Sequence, residues 1–83
     1  MTQNIPERVR KILAQHGRLG SDVAALADTA DLYAAGMTSR ASVNVMVALE
    51  TEFNIEFPDA MLRRDVFESV AAISTAVASL HVG

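Results

Sequence analysis

The sequence contains no cysteine. That excludes a disulfide framework, a thiolate nucleophile and any Cys-based metal site, and it fits a reducing compartment. No uncharged apolar run reaches the ~18 residues that a membrane span requires. The N-terminal stretch MTQNIPERVRKIL lacks the apolar h-region of a signal peptide. The chain therefore reads as soluble, intracellular and cytoplasmic. Repeats, low-complexity tracts and long internal linkers are also missing, so the 83 residues read as one domain, 1–83. Histidine is scarce too. His16 and His81 stand far apart, and no Ser-His-acid or Cys-His spacing occurs. Asp28 and Asp31 lack the ligand density of a calcium loop. No catalytic residue and no metal ligand is expected.

What the chain does contain is apolar: 51% hydrophobic against 20% charged residues, a folding composition rather than a disordered one. Its net charge of -3 is unevenly spread. Residues 1–20 balance to +3, residues 21–59 to -6 and residues 60–83 to zero. The acidic middle argues against nucleic acid and for partners with basic surfaces, although ordinary solvated faces account for it equally well.

Apolar periodicity marks three longer helices. Ile5, Val9, Ile12 and Leu13 recur at helical spacing, with Asn4 as N-cap, Pro6 and Glu7 in the first turn, and His16-Gly17 as the stop. The second helix runs from about Ser39 to Phe53. Val43, Met46, Leu49 and Phe53 form its expected apolar stripe, Val47 and Glu50 its margins, and Asn54 its end. The third starts after the N-cap Ser69 and reaches about Leu80, its buried face formed by Val70, Ile73, Val77 and Leu80.

Between the first two helices, residues 17–38 form a long connection. A loop of that length has to be pinned to the core, and Leu19, Val23, Leu26, Leu32 and Tyr33 are the anchors expected to do so. A short turn of helix is expected around Val23–Ala27. Ile55-Glu56-Phe57 alternates like a strand but has no partner, and Pro58 keeps Phe57 extended, so it reads as a connector. A short helix is expected within Asp59–Arg63, capped by Asp59. The fold class is all-α: a small bundle of three longer helices and one short one, with a long first loop. His81 reads as a solvated tail residue. The default oligomeric state is a monomer.

The stretch with chemical content is Asp31-Leu32-Tyr33-Ala34-Ala35-Gly36-Met37-Thr38-Ser39, which leads directly into the second helix. A serine at a helix start sits among unpaired N–H groups and partial positive charge, where an attached anion is stabilised. Arg40 stands next to it as a further phosphate partner. Serine at a helix start is also an ordinary cap, so glycine, serine and helix alone do not decide the matter.

The surrounding register resembles the acyl carrier protein family. That family places Asp-Leu a few residues before Gly-x-Asp-Ser-Leu; here stand Asp31-Leu32, then Gly36-Met37-Thr38-Ser39-Arg40. Fourteen residues after the serine, the family has Phe, then an aliphatic residue, an acid, an apolar residue, Pro and Asp. Phe53, Ile55, Glu56, Phe57, Pro58 and Asp59 match without a gap. The resemblance implies that Ser39 carries 4'-phosphopantetheine, added from coenzyme A by a phosphopantetheinyl transferase. It implies that the chain is a carrier of a thioester-bound group rather than an enzyme. The run from Asp31 to Gly36, with Ala41-Ser42-Val43 and Phe57-Pro58-Asp59, looks more narrowly like aminoacyl carriers. Those carriers are loaded by amino acid:carrier protein ligases related to class II aminoacyl-tRNA synthetases, and a downstream enzyme accepts the acyl group. A carrier in fatty-acid or polyketide synthesis is the alternative, and an unmodified helical adapter is the alternative of another class.

Two positions depart from the family pattern: Thr38 replaces its Asp and Arg40 its Leu. The outward stripe of the second helix, Arg40, Asn44, Val47 and Thr51, contains no acid, whereas the family's helix displays several. Thr38, Arg40, Asn44, Val47 and Thr51 are the candidate partner-binding residues.

Overall fold

The computed structural model describes residues 4–17, 19 and 23–81. Three α-helices, α1 (Ile5–His16), α2 (Ser39–Phe53) and α3 (Val70–Leu80), pack around one core. Single turns of 3-10 helix form at Val23–Ala25, Asp59–Met61 and Arg64–Phe67. The described residues contain no strand, and none of their helices is long and apolar enough to cross a membrane.

Each long helix begins on a side-chain cap. Asn4 accepts a hydrogen bond from the Glu7 N–H, Thr38 from Ala41 and Ser69 from Ala72, each at 3.0 Å. These caps satisfy donors that have no acceptor inside the helix. α1 ends as the sequence predicts, at Gly17, but not through a left-handed residue. The Gly17 backbone is right-handed (φ -76°), and its N–H reaches the Leu13 carbonyl at 2.8 Å. A Cβ there would lie 2.8 Å from that same carbonyl oxygen, so close approach is what calls for glycine. α2 ends on Asn54 at φ 54°, a left-handed cap.

The core is built from Val9, Ile12 and Leu13 of α1, Ala41, Val45, Leu49 and Phe53 of α2, and Val70, Ile73, Ala76 and Val77 of α3. The buried face of α2 differs from the expected stripe. Leu49 and Phe53 are buried, but Val43 is 53% exposed and Met46 only partly buried. The buried residues follow a strict four-residue row that starts at Ala41, a residue too small to announce itself as an anchor. α1 is fastened to the end of α2 by Arg8. Its guanidinium donates to the Glu52 carboxylate at 2.9 Å and to the Glu52 carbonyl at 3.1 Å, and lies 4.3 Å from the Phe53 ring centre. It thereby serves one of the carbonyls that α2 leaves unpaired at its C-terminus.

The long first loop is pinned as expected, with Val23 and Leu32 buried and Leu19, Leu26 and Tyr33 packed against the core. Arg10 donates to the Val23 carbonyl and pairs with Asp28. Leu32 N–H donates to the Glu68 carbonyl at 2.7 Å, and the Asp28 carbonyl accepts from Ala71 N–H at 2.9 Å. Two main-chain bonds thus tie this loop to the start of α3. Gly20, Ser21 and Asp22 of this loop lie outside the described residues.

After α2 the chain is extended through Pro58, and Phe57 N–H donates to the Glu50 carboxylate at 2.9 Å. The expected helix within Asp59–Arg63 is only the 3-10 turn Asp59–Met61. Pro58, not Asp59, precedes it, and no side chain caps it. Arg64–Phe67 is a second such turn that the sequence does not announce, and it buries Phe67 against Phe57, ring centres 5.3 Å apart. His81 is exposed, yet its ring meets the edge of Phe53 at 5.9 Å, so it does more than trail in solvent.

Candidate functional site

The segment before α2 is shaped by two devices. The Asp31 carboxylate accepts from the N–H groups of Tyr33 (2.9 Å) and Ala34 (3.3 Å), which starts a turn. The turn closes with Met37 N–H on the Leu32 carbonyl and Gly36 N–H on the Tyr33 carbonyl. This is the bond pattern of a Schellman motif, with Gly36 at φ 120° where a side chain would be strained. Met37 is thereby buried, and the chain leaves the turn at Thr38, ready to start a helix.

Thr38, not Ser39, is the N-cap of α2. Ser39 is the first helical residue and is exposed. Of two adjacent hydroxyls it is Thr38 that caps the helix, and this matters chemically. The Thr38 hydroxyl satisfies the Ala41 N–H, and among the described residues the Ser39 hydroxyl has no partner, so it is free to react. The N–H groups of Ser39 and Arg40 likewise find no protein acceptor among the described residues. The first turn of α2 holds no acid, and Arg40 beside it is exposed. A phosphodiester on Ser39 Oγ would meet two unpaired donors, the positive end of the helix and a guanidinium. The residues present therefore fit a phosphate-linked group.

Ser39 also lines a groove of about 370 Å³ between α2 and the turn Arg64–Phe67. Val43, Met46, Leu62 and Phe67 make it apolar, and Tyr33, Arg63 and Arg64 complete its walls. The Arg64 guanidinium lies 3.9 Å from the Tyr33 ring centre. Arg63 pairs with Asp65, and this hydrogen bond holds the Asp65 carboxyl below the usual carboxylate range. Val43, exposed here rather than in the core, is a groove residue. Tyr33, Leu62, Arg64 and Phe67 belong to this site without any local sequence signal, because three separate segments contribute them.

The candidate partner-binding residues divide. Thr38 and Arg40 stand at the helix start with Ser39. Asn44, Val47 and Thr51 line a second depression, of about 460 Å³, against Gln15 and His16 of α1. All five are exposed, and Val47 is 51% exposed. Asp28 and Asp31, weighed as metal ligands, are engaged in an ion pair and a turn. The described residues contain no cluster of three or more metal-ligating side chains.

A small helical bundle that presents a free serine hydroxyl on a helix start, beside an apolar groove, has the architecture of a carrier domain. The sequence pattern of the phosphopantetheine attachment site family matches residues 7–77, and the chain belongs to that family. Its relatives point further. It is 51% identical over 69 residues to the aminoacyl carrier protein of Agrobacterium fabrum, covering 83% of each chain. Its fold matches a chain in the crystal structure of an engineered Bradyrhizobium japonicum glycine:[carrier protein] ligase complexed with carrier protein from Agrobacterium tumefaciens and ATP. That match has a TM-score of 0.89 and 45% identity over 93% of this chain and 100% of the other. A solution structure from Agrobacterium tumefaciens matches with TM-score 0.71 and 47% identity over 89% of both chains. The chain is thus an aminoacyl carrier protein homologue, and carriers of this kind are not enzymes.

Proposed function

We propose that this chain is an aminoacyl carrier domain whose Ser39 is the attachment point for 4'-phosphopantetheine. The observation that carries the assignment is the free Ser39 hydroxyl at the start of α2, with the capping duty taken by Thr38. Ser39 Oγ forms the phosphoester bond, its proton passes to the transferase, and adenosine 3',5'-bisphosphate leaves from coenzyme A. The attached group supplies a terminal thiol, which holds the cargo as a thioester. The N–H groups of Ser39 and Arg40 and the Arg40 guanidinium then hold the phosphate. The aminoacyl cargo is supported by the ligase complexes among the structural relatives, and glycine is the first amino acid to test.

Arg40, Asn44, Val47 and Thr51 form the face offered to the ligase, and the setting is the cytoplasm, where coenzyme A and ATP are available. Docking is weak and brief, since one carrier serves several enzymes in turn. Each transfer then gains from the effective concentration that docking creates. The test is intact-protein mass after incubation with coenzyme A and a broad-specificity transferase, followed by peptide mapping. A single adduct on Ser39, absent in Ser39→Ala, supports the reading. Modification that survives the substitution overturns the site, and no modification by several transferases restores the adapter reading.

A further inference from the structure

The groove beside Ser39 has an unusual charge for a place where an aminoacyl cargo could rest. Its lining includes two arginines and no carboxylate. Arg63 is neutralised by Asp65. Arg64 is exposed and has no acidic partner among the described residues, and its guanidinium lies over the Tyr33 ring, which holds the charge at the rim of the groove. The remaining surface is largely apolar, so an ammonium group entering it loses water without gaining a carboxylate. The Tyr33 face that could attract that ammonium is already covered by Arg64.

We propose that Arg64 makes this groove charge-selective: an uncharged acyl group on the Ser39-linked arm enters it, and an aminoacyl group of the same size stays in solvent. The proposal rests on the carrier reading of Ser39. Glycyl and propionyl groups have the same number of heavy atoms and differ in ending on an ammonium or a methyl. A like charge at roughly 6 Å disfavours occupancy by about threefold even with the screening of bulk water, and by more in a groove of lower dielectric. The cargo of an aminoacyl carrier would then be displayed, and a receiving enzyme would not have to extract it. Arg64 would be the residue that determines this.

The experiment compares three loaded forms of the whole chain: the bare arm, and arms carrying glycyl or propionyl through a non-hydrolysable amide. They are made from the matching coenzyme A analogues, and intact mass first establishes one arm on Ser39. Methyl chemical shifts of Val43, Met46 and Leu62 are then read at pH about 6.5, below the ~8 of an α-amino group. Propionyl is expected to shift these methyls from their bare-arm positions, and glycyl to shift them at most about a third as far. Arg64→Gln is expected to raise the glycyl shifts by about threefold towards the propionyl ones. Arg64→Lys, which keeps the charge but not the guanidinium, is expected to behave like the native chain. Equal shifts for the two cargoes in the native chain, no shift with propionyl, or Arg64→Lys behaving like Arg64→Gln would overturn charge selection while leaving the carrier reading intact. Failure to gain any arm removes the carrier reading itself.

Discussion

Thr38→Ala and Ser39→Ala make a pair of neighbouring substitutions with opposite consequences. Thr38→Ala removes the acceptor of the Ala41 N–H, a 3.0 Å bond at the start of α2. Loss of such a cap costs about 1 kcal/mol, which for a domain of this size lowers the melting temperature by about 4–8 °C. The Ser39 hydroxyl remains, so phosphopantetheine attachment should persist. Ser39→Ala removes a hydroxyl that has no partner among the described residues and places alanine, the best helix former, in the first turn. Its stability should stay within about 0.5 kcal/mol of the native chain, and attachment should vanish. Thermal unfolding followed by circular dichroism, with intact mass after treatment with transferase and coenzyme A, reads both quantities. If Ser39→Ala proved as destabilising as Thr38→Ala, Ser39 would share the capping role and the division of labour between the two hydroxyls would be wrong.

Three further outcomes can be checked by simple means. In urea denaturation, Val45→Ala should cost about 2–3 kcal/mol because Val45 is fully buried, and Val47→Ala less than about 0.5 kcal/mol because its side chain faces solvent. Gly17→Ala should lower stability by about 1 kcal/mol or more through the clash with the Leu13 carbonyl, measurable as a lower melting temperature. The Asp65 carboxyl should titrate by NMR below an ordinary aspartate and return to the ordinary range in Arg63→Gln. A depressed carboxyl favours the folded state above its unfolded pKa and loses that contribution as pH falls through the folded one. Any stability from this exposed pair therefore disappears on the acid side.

The helix boundaries were legible because Asn4, Thr38 or Ser39, Asn54 and Ser69 are cap residues at the ends of periodic segments. Two capping residues side by side defeated the finer reading. Nothing in the order Thr38-Ser39 says which hydroxyl turns inward to the backbone. The face of α2 was misread for a related reason, since Val43 and Met46 look like core while Ala41 does not. The five loop anchors were readable because a long connection in a small protein must bury its apolar residues somewhere. The turn Arg64–Phe67 is too short to show periodicity, so the groove it helps to form was invisible until the fold brought Tyr33, Leu62 and Phe67 to the same side of α2.

The two main-chain bonds between the first loop and the start of α3 have a mechanical consequence. They join Leu32 to Glu68 and Asp28 to Ala71, on either side of Ser69. Tyr33 follows directly after Leu32, and Arg64 and Phe67 come just before Glu68. The wall of the groove that faces α2 is therefore clasped into one piece. A load placed on the start of α3 is passed by two main-chain bonds straight to the loop that leads to Ser39.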